Sequence, residues 1–435
     1  MGVLQRSQLI GRMLERKARA AAAAAPAGWL SRGAGAAPDH LSRFDSHPKY
    51  KEVQFLIAAA KSFGCDSPFF RTHEGLATAV TTIGEREYLN FSSYNYLGFN
   101  GHPEVNEAAK AAIARYGTSA SASRLVAGER PVQRALEDAL AAFYGVEDCV
   151  VFVSGHATNV FTISTLFGPR DLVVHDRLIH NSVLEGIRLS GATRRGFPHN
   201  DADALDAVLA EVRGQFERVL VVIEGHYSMD GDIPHLPAFI DVKRRHNCFL
   251  MVDEAHALGV VGETGKGSGE HHGIAGEDVD IWMGTLSKTL AGCGGYIAGE
   301  RALVEHLKYA AAGFVYSVGI APPLAAASLA ALQLLRKEPE RVARLRDNGH
   351  LFLALAKEAG LDVGTAQGTA IVPVITGSSL KAVRLSGALF EQGINVQPVI
   401  YPAVEERAAR LRFFLSAMHS EQDIRLACET VKKLI

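Results

Sequence analysis

From about residue 88 onward, two spacings of apolar positions alternate along the chain. Short β-branched and apolar runs recur at CVVFV (149–153), DLVVH (171–175), RVLVVIE (218–224), CFLMVDE (248–254) and DIWMG (280–284). Their length and Val/Ile content predict buried strands. Between several of them lie stretches with helical spacing, such as DADALDAVLAEVRGQF (201–216). Strands alternating with helices predict an α/β fold with a mostly parallel central sheet covered by helices. In such sheets ligands gather beyond the carboxyl ends of the strands.

The pattern changes after residue 312. Residues 313–360 read as a long connecting helix and a second one, broken near KEPE. Short strand candidates follow at AIVPVIT (370–376), INVQPVI (394–400) and RLRFFLSA (410–417), then a final helix. Three units are expected: an N-terminal arm and helical segment (1–75), a large domain (76–330) and a smaller C-terminal α+β domain (331–435).

Composition narrows the function. Of 435 residues, 48% are hydrophobic and 21% charged, and the net charge is −2. That balance argues against nucleic acid as a partner, which requires a basic surface. Cys65, Cys149, Cys248, Cys293 and Cys428 are odd in number and lack CxxC spacing, which points to a reducing compartment and no structural zinc. The histidines of EHHG (270–273) lack spaced partners for a metal. No apolar run is long enough to span a bilayer. The first 38 residues hold six basic side chains and one acid around ARAAAAAAPAG. Such an arm fits a transit peptide to an organelle, a docking arm for an acidic partner, peripheral membrane association or a linker. The expected location is the cytoplasm.

Three polar positions fall just past strand ends. Asp253 opens DEAHALG, Ser228 lies in EGHYSMDGD, and Lys288 follows DIWMGTLS. Parallel strands bring these ends to one crevice. A buried acid and a buried lysine there are costly unless something between them needs both charges. A pyridinium ring meets that need. The acid pairs with the ring nitrogen, and the lysine forms an imine with an aldehyde at the far side.

The motifs YLNFSSYNYLGFNGHP (88–103), YGTSASASRLVAGER (116–130), VSGHATN (153–159), HDRLIHNSVLEG (175–186), VDEAH (252–256) and GTLSK (284–288) resemble those of the α-oxoamine synthases. These are fold-type I enzymes that use pyridoxal 5'-phosphate (PLP). The likeness runs to RLRFFLSAMHSEQDI (410–424) and is greatest to members serving polyketide or acyl-carrier-protein systems. It implies Lys288 as the Schiff-base lysine and Asp253 as the partner of the ring nitrogen. His256 and Ser228 would lie near the ring's phenolic oxygen. Gly155, His156 and Thr285 would serve the phosphate, with Gly292, Gly294 and Gly295 allowing close backbone approach. His180 would stack on the ring and polarise a thioester carbonyl. Arg412 would grip the amino acid's carboxylate, and Asn95 would contact substrate. Ser317, in YSVGIAPP (316–323), would reach the neighbouring subunit's phosphate, which implies a homodimer with shared sites.

The implied activity condenses a small α-amino acid (glycine, alanine or serine) with an acyl thioester of coenzyme A or a carrier protein. It releases CO2 and the thiol and yields an α-aminoketone. Two rivals stand beside it: a class I/II aminotransferase, and a carrier-binding or regulatory subunit with a dead site. Three positions depart from the family pattern. Thr289 and His226 stand where relatives have small residues, and Ala257 where Ser or Gly is common.

Overall fold

The computed structural model describes residues 38–62 and 67–435. The basic arm and Cys65 lie outside the described residues. Fourteen strands are described: β1 (His73–Glu74), β2 (Val80–Ile83), β3 (Arg86–Asn90), β4 (Asp148–Phe152), β5 (Leu172–Asp176), β6 (Thr193–Phe197), β7 (Val219–Glu224), β8 (Phe249–Asp253), β9 (Ile281–Thr285), β10 (Gly295–Gly299), β11 (Ile371–Ile375), β12 (Ile394–Asn395), β13 (Pro398–Val399) and β14 (Arg410–Phe414).

A seven-stranded sheet in the order β4-β10-β9-β8-β7-β5-β6 forms the centre. All neighbours are parallel except β10, which runs antiparallel to both β4 and β9. Successive side chains of a strand point to opposite faces, and the core divides accordingly. Val151, Val174, Val221, Leu250, Val252 and Trp282 pack on one face. Val150, Val173, Leu220, Val222, Met251 and Met283 pack on the other. Both faces are dry, so these strands read as continuous apolar runs. No strand is expected from the sequence across the glycine-rich stretch 292–299. Its second half, GYIAG, is a fully buried strand, because glycine lets it fit between β4 and β9.

The helices Pro322–Lys337 and Glu340–Glu358 match the broken helical pair expected from the sequence. Beyond them β11, β14 and β13 form an antiparallel sheet. One expectation needs correction. INVQPVI is not one strand: β12 pairs with β3, and β13 pairs with β14. Pro398 has no N–H to continue a ladder, and the chain changes partner there. Residues 80–90 lie outside the large sheet. They form a small one with β12, so the N-terminal strands sit with the C-terminal unit. The helix Pro322–Lys337 runs across positions 330 and 331. Among the described residues no helix is long and apolar enough to cross a membrane.

Candidate active site

The carboxyl ends of β4, β5, β7, β8 and β9 share one edge of the sheet. A cavity of about 240 Å³ opens there, lined by Gly155, His156, Asn159, His180, Glu224, Ser228, Asp253, His256, Thr285 and Lys288, among others. A wider one of about 560 Å³ adjoins it, lined by Tyr94, Asn95, Asn100 and Gln397. Ser287 and Lys288 line both.

Asp253 closes β8 and is 4% exposed. Its Oδ2 accepts from Asn159 Nδ2 at 2.9 Å and its Oδ1 from the Ala255 N–H at 3.0 Å. Both donors are neutral, so they steady the carboxylate without cancelling its charge. Asn159 sits on the first turn of the helix Gly155–Leu166, which Ser154 caps through the Ala157 N–H. Asn159 is not among the site residues expected from the sequence. Its signal was the SGxxxN spacing, which places it one turn after Gly155 on the cavity side.

Lys288 follows β9. Its Nζ lies 5.7 Å from the centroid of the Tyr94 ring. Burial lowers its pKa to about 8; Arg412 adds to that, while Asp253 and Glu224 oppose it. A lysine so placed is partly neutral near physiological pH, as a nucleophile or proton carrier must be.

One site histidine presents a defined tautomer, and a second has a defined partner. His180 caps the helix Asn181–Ser190. Its Nδ1 lies 2.7 Å from Ser182 Oγ and accepts the Ser182 N–H at 3.3 Å. With Nδ1 the acceptor, the ring proton sits on Nε2. Burial lowers the pKa of His180, with Lys288 and His156 adding to it against Asp253. His256 Nδ1 lies 2.8 Å from Tyr96 Oη. Burial holds the Tyr96 phenol well above its ordinary range and the His256 imidazole well below its own. Both groups are therefore neutral where they meet.

The glycines answer to close packing. A Cβ on Gly155 would sit 2.8 Å from Thr285 Oγ1. One on Gly295 would sit 2.7 Å from the Gly155 Cα. The start of the helix thus lies directly on β9 and β10. Thr285 Oγ1 in turn donates to the Gly294 carbonyl at 3.0 Å.

Ser228 is buried, and its N–H donates to Glu224 Oε2 at 3.0 Å. Its carbonyl accepts Arg412 Nη1 at 2.8 Å. The Arg412 guanidinium stacks 4.5 Å from the Phe414 ring centroid, and its Nε is buried without a partner. Asn95 lines the wider cavity, where its amide braces the backbone at Ala77 and Asn100. Ser317 lies apart, against a small void beside Arg124 and Phe314.

The departures find places. His226 Nδ1 donates to the His256 carbonyl at 3.1 Å, and Nε2 meets Thr369 Oγ1 at 2.6 Å. Burial depresses its pKa to about 4, so it is a neutral brace between the His256 turn and the C-terminal unit. Thr289 donates to the Leu258 carbonyl at 2.8 Å. Ala257 is fully buried in the core.

The residues present fit PLP. A buried carboxylate and an amine line one cavity, a helix N-terminus opens onto it, and Glu224 Oε1 and Asn159 Oδ1 are buried there without partners. The aminotransferase class I and II family model matches residues 86–431. An 8-amino-7-oxononanoate synthase from Symbiobacterium thermophilum is 40% identical over 342 residues, covering 79% of this chain and 87% of that protein. One from Geobacter sulfurreducens is 42% identical over 367 residues, covering 84% and 93%. Among solved structures, serine palmitoyltransferase from S. paucimobilis with PLP and myriocin bound superposes with a TM-score of 0.86. It is 27% identical, and 90% of this chain and 98% of that one are covered.

The chain belongs to the α-oxoamine synthases. Like other α-oxoamine synthases it is a PLP-dependent, acyl-transferring enzyme, not a plain aminotransferase.

Proposed function

We propose that this α-oxoamine synthase joins a small α-amino acid to an acyl thioester, with loss of CO2 and release of the thiol. One observation carries the reading: Asp253 and Lys288 line one cavity, and His180, whose ring proton is on Nε2, lines it with them.

PLP, when bound, supplies an electron sink for negative charge at the amino acid's Cα. Asp253 holds the ring nitrogen protonated, with Asn159 fixing its carboxylate. Gly155, His156 and Thr285 hold the phosphate at the helix N-terminus. His256 and Ser228 close the edge that would face the phenolic oxygen. Lys288 would hold the cofactor and move the Cα proton; its lowered pKa suits both tasks. His180 donates from Nε2 to the thioester carbonyl as charge develops on that oxygen. Arg412 orients the substrate carboxylate, with Phe414 holding the guanidinium plane. Asn95 shapes the wider cavity, where the thioester enters. Ser317 faces a second copy, and the enzyme works as a cytoplasmic homodimer.

Alanine is the first amino acid to assay. The name 8-amino-7-oxononanoate, borne by the relatives, describes an α-aminoketone whose aminoethyl end is decarboxylated alanine. Glycine and serine follow, each with coenzyme A and carrier-protein thioesters. The test incubates purified enzyme with this panel and measures free thiol, CO2 and product mass. Thiol and CO2 released together support the synthase. A keto acid without thiol release would establish an aminotransferase instead, and no turnover with any pair would point to a dead site.

A further inference from the structure

Glu224 closes β7 and stands in register with Asp253 on β8. The two side chains are 3% and 4% exposed and line the same cavity. Asp253 receives two hydrogen bonds, from the Asn159 amide and the Ala255 N–H. Glu224 receives one, at Oε2 from Ser228, and its Oε1 is buried without a partner. Adjacent buried carboxyls do not both ionise cheaply, and the better-solvated one keeps the charge. The other groups facing Glu224 do not reverse this. Asp176 repels its charge and Lys288 attracts it, while the Tyr227 phenol is itself held protonated, chiefly by burial. Burial and Asp253 together push the Glu224 carboxyl well above the ordinary range.

We infer that Glu224 is a positioning residue that works as a neutral acid: Oε2 holds the Ser228 N–H, and buried Oε1 carries the proton beside the Asp253 carboxyl. The Ser228 carbonyl receives Arg412. Glu224 therefore sets the Ser228 turn, and through it the guanidinium. Only that last link rests on the proposed role of Arg412; the protonation state stands without it.

Glutamine reproduces the donor and acceptor pattern of a protonated glutamate. The experiment compares holoenzyme of the wild type, Glu224→Gln and Glu224→Ala. At pH 6.5, the infrared difference between wild type and Glu224→Gln shows the carbonyl stretch of a protonated carboxyl. The band shifts in wild type labelled with 13C-glutamate. Carboxylate bands alone would overturn the inference; burial raises Glu254 as well, so the band is assigned to Glu224 by its loss in Glu224→Gln or, should that variant fail to fold, in Glu224→Ala. Alanine is then titrated against each protein. Glu224→Gln stays within about threefold of wild type, whereas Glu224→Ala binds about tenfold more weakly. An equal loss in both variants would mean that the charge is needed, and the inference falls. If wild type binds no amino acid at all, the proposed function fails, while the infrared band still decides the state of Glu224.

Discussion

Replacing His199 by glutamine removes a positive charge from between two buried carboxylates. His199 Nδ1 lies 3.0 Å from Asp176 Oδ1, and Nε2 lies 2.9 Å from Asp232 Oδ2. Asp176 ends β5, on the turn that leads to His180, and Asp232 lies four residues after Ser228. The ring thus ties together the two segments that carry those side chains. Burial alone lowers the His199 pKa, but the hydrogen bonds to Asp176 and Asp232 outweigh it and hold it at about 10. Removing one partner of a buried ion pair costs about 3–5 kcal/mol. His199 is 13% exposed, and solvent screening trims that to about 2–3 kcal/mol at pH 7. The folded pKa is raised, so the contribution is complete below about pH 6.5 and fades as pH rises toward 10. The ceiling on that loss is about 1.4 kcal/mol per pH unit. After screening, the gap between wild type and His199→Gln narrows by about 1–1.5 kcal/mol from about pH 7 to 9. Urea unfolding followed by circular dichroism at several pH values measures it. A gap that stays constant or widens over this range would refute a charged His199.

Three further outcomes are expected. Lys288→Ala loses the yellow absorbance of the lysine-bound cofactor, and borohydride no longer fixes PLP to the chain; a retained, reducible chromophore would reject Lys288. Arg412→Ala weakens amino-acid binding by about 2–3 kcal/mol while PLP stays bound, as spectral titration with alanine would record; unaltered affinity would move the carboxylate site elsewhere. Gly295→Ala places a Cβ 2.5 Å from Thr158 Oγ1 and 2.7 Å from the Gly155 Cα. The overpacking costs about 1–3 kcal/mol and weakens PLP binding by lifting the helix off β10. Thermal unfolding and a PLP titration that both match wild type would contradict that packing.

Much of the site was legible because its chemistry sits at strand ends, and strand ends are written in local pattern. Asp253 and Lys288 each follow a short apolar run, and parallel order brings such ends together. His226 was not legible: a lone histidine in a loop gives no sign that Thr369 is its partner. Glu224 was hidden in the same way. It reads as the polar end of a strand until the register sets it beside Asp253. β10 was missed because glycine reads as a turn, and only its place between β4 and β9 makes it a strand.

The sequence by itself determined the alternating strands and helices, the order of the motifs and the residue types that can meet a PLP ring. Periods of 2 and 3.6 need only near neighbours, so they survive without a fold. The tertiary structure alone decided which strands are neighbours, which ring nitrogens carry protons and which of two adjacent acids is better solvated. It also decided that Leu89 and Asn90 of β3 pair with β12, some 300 residues away. Those outcomes depend on distances across the sheet and on burial, and a local pattern of apolar and polar positions contains neither.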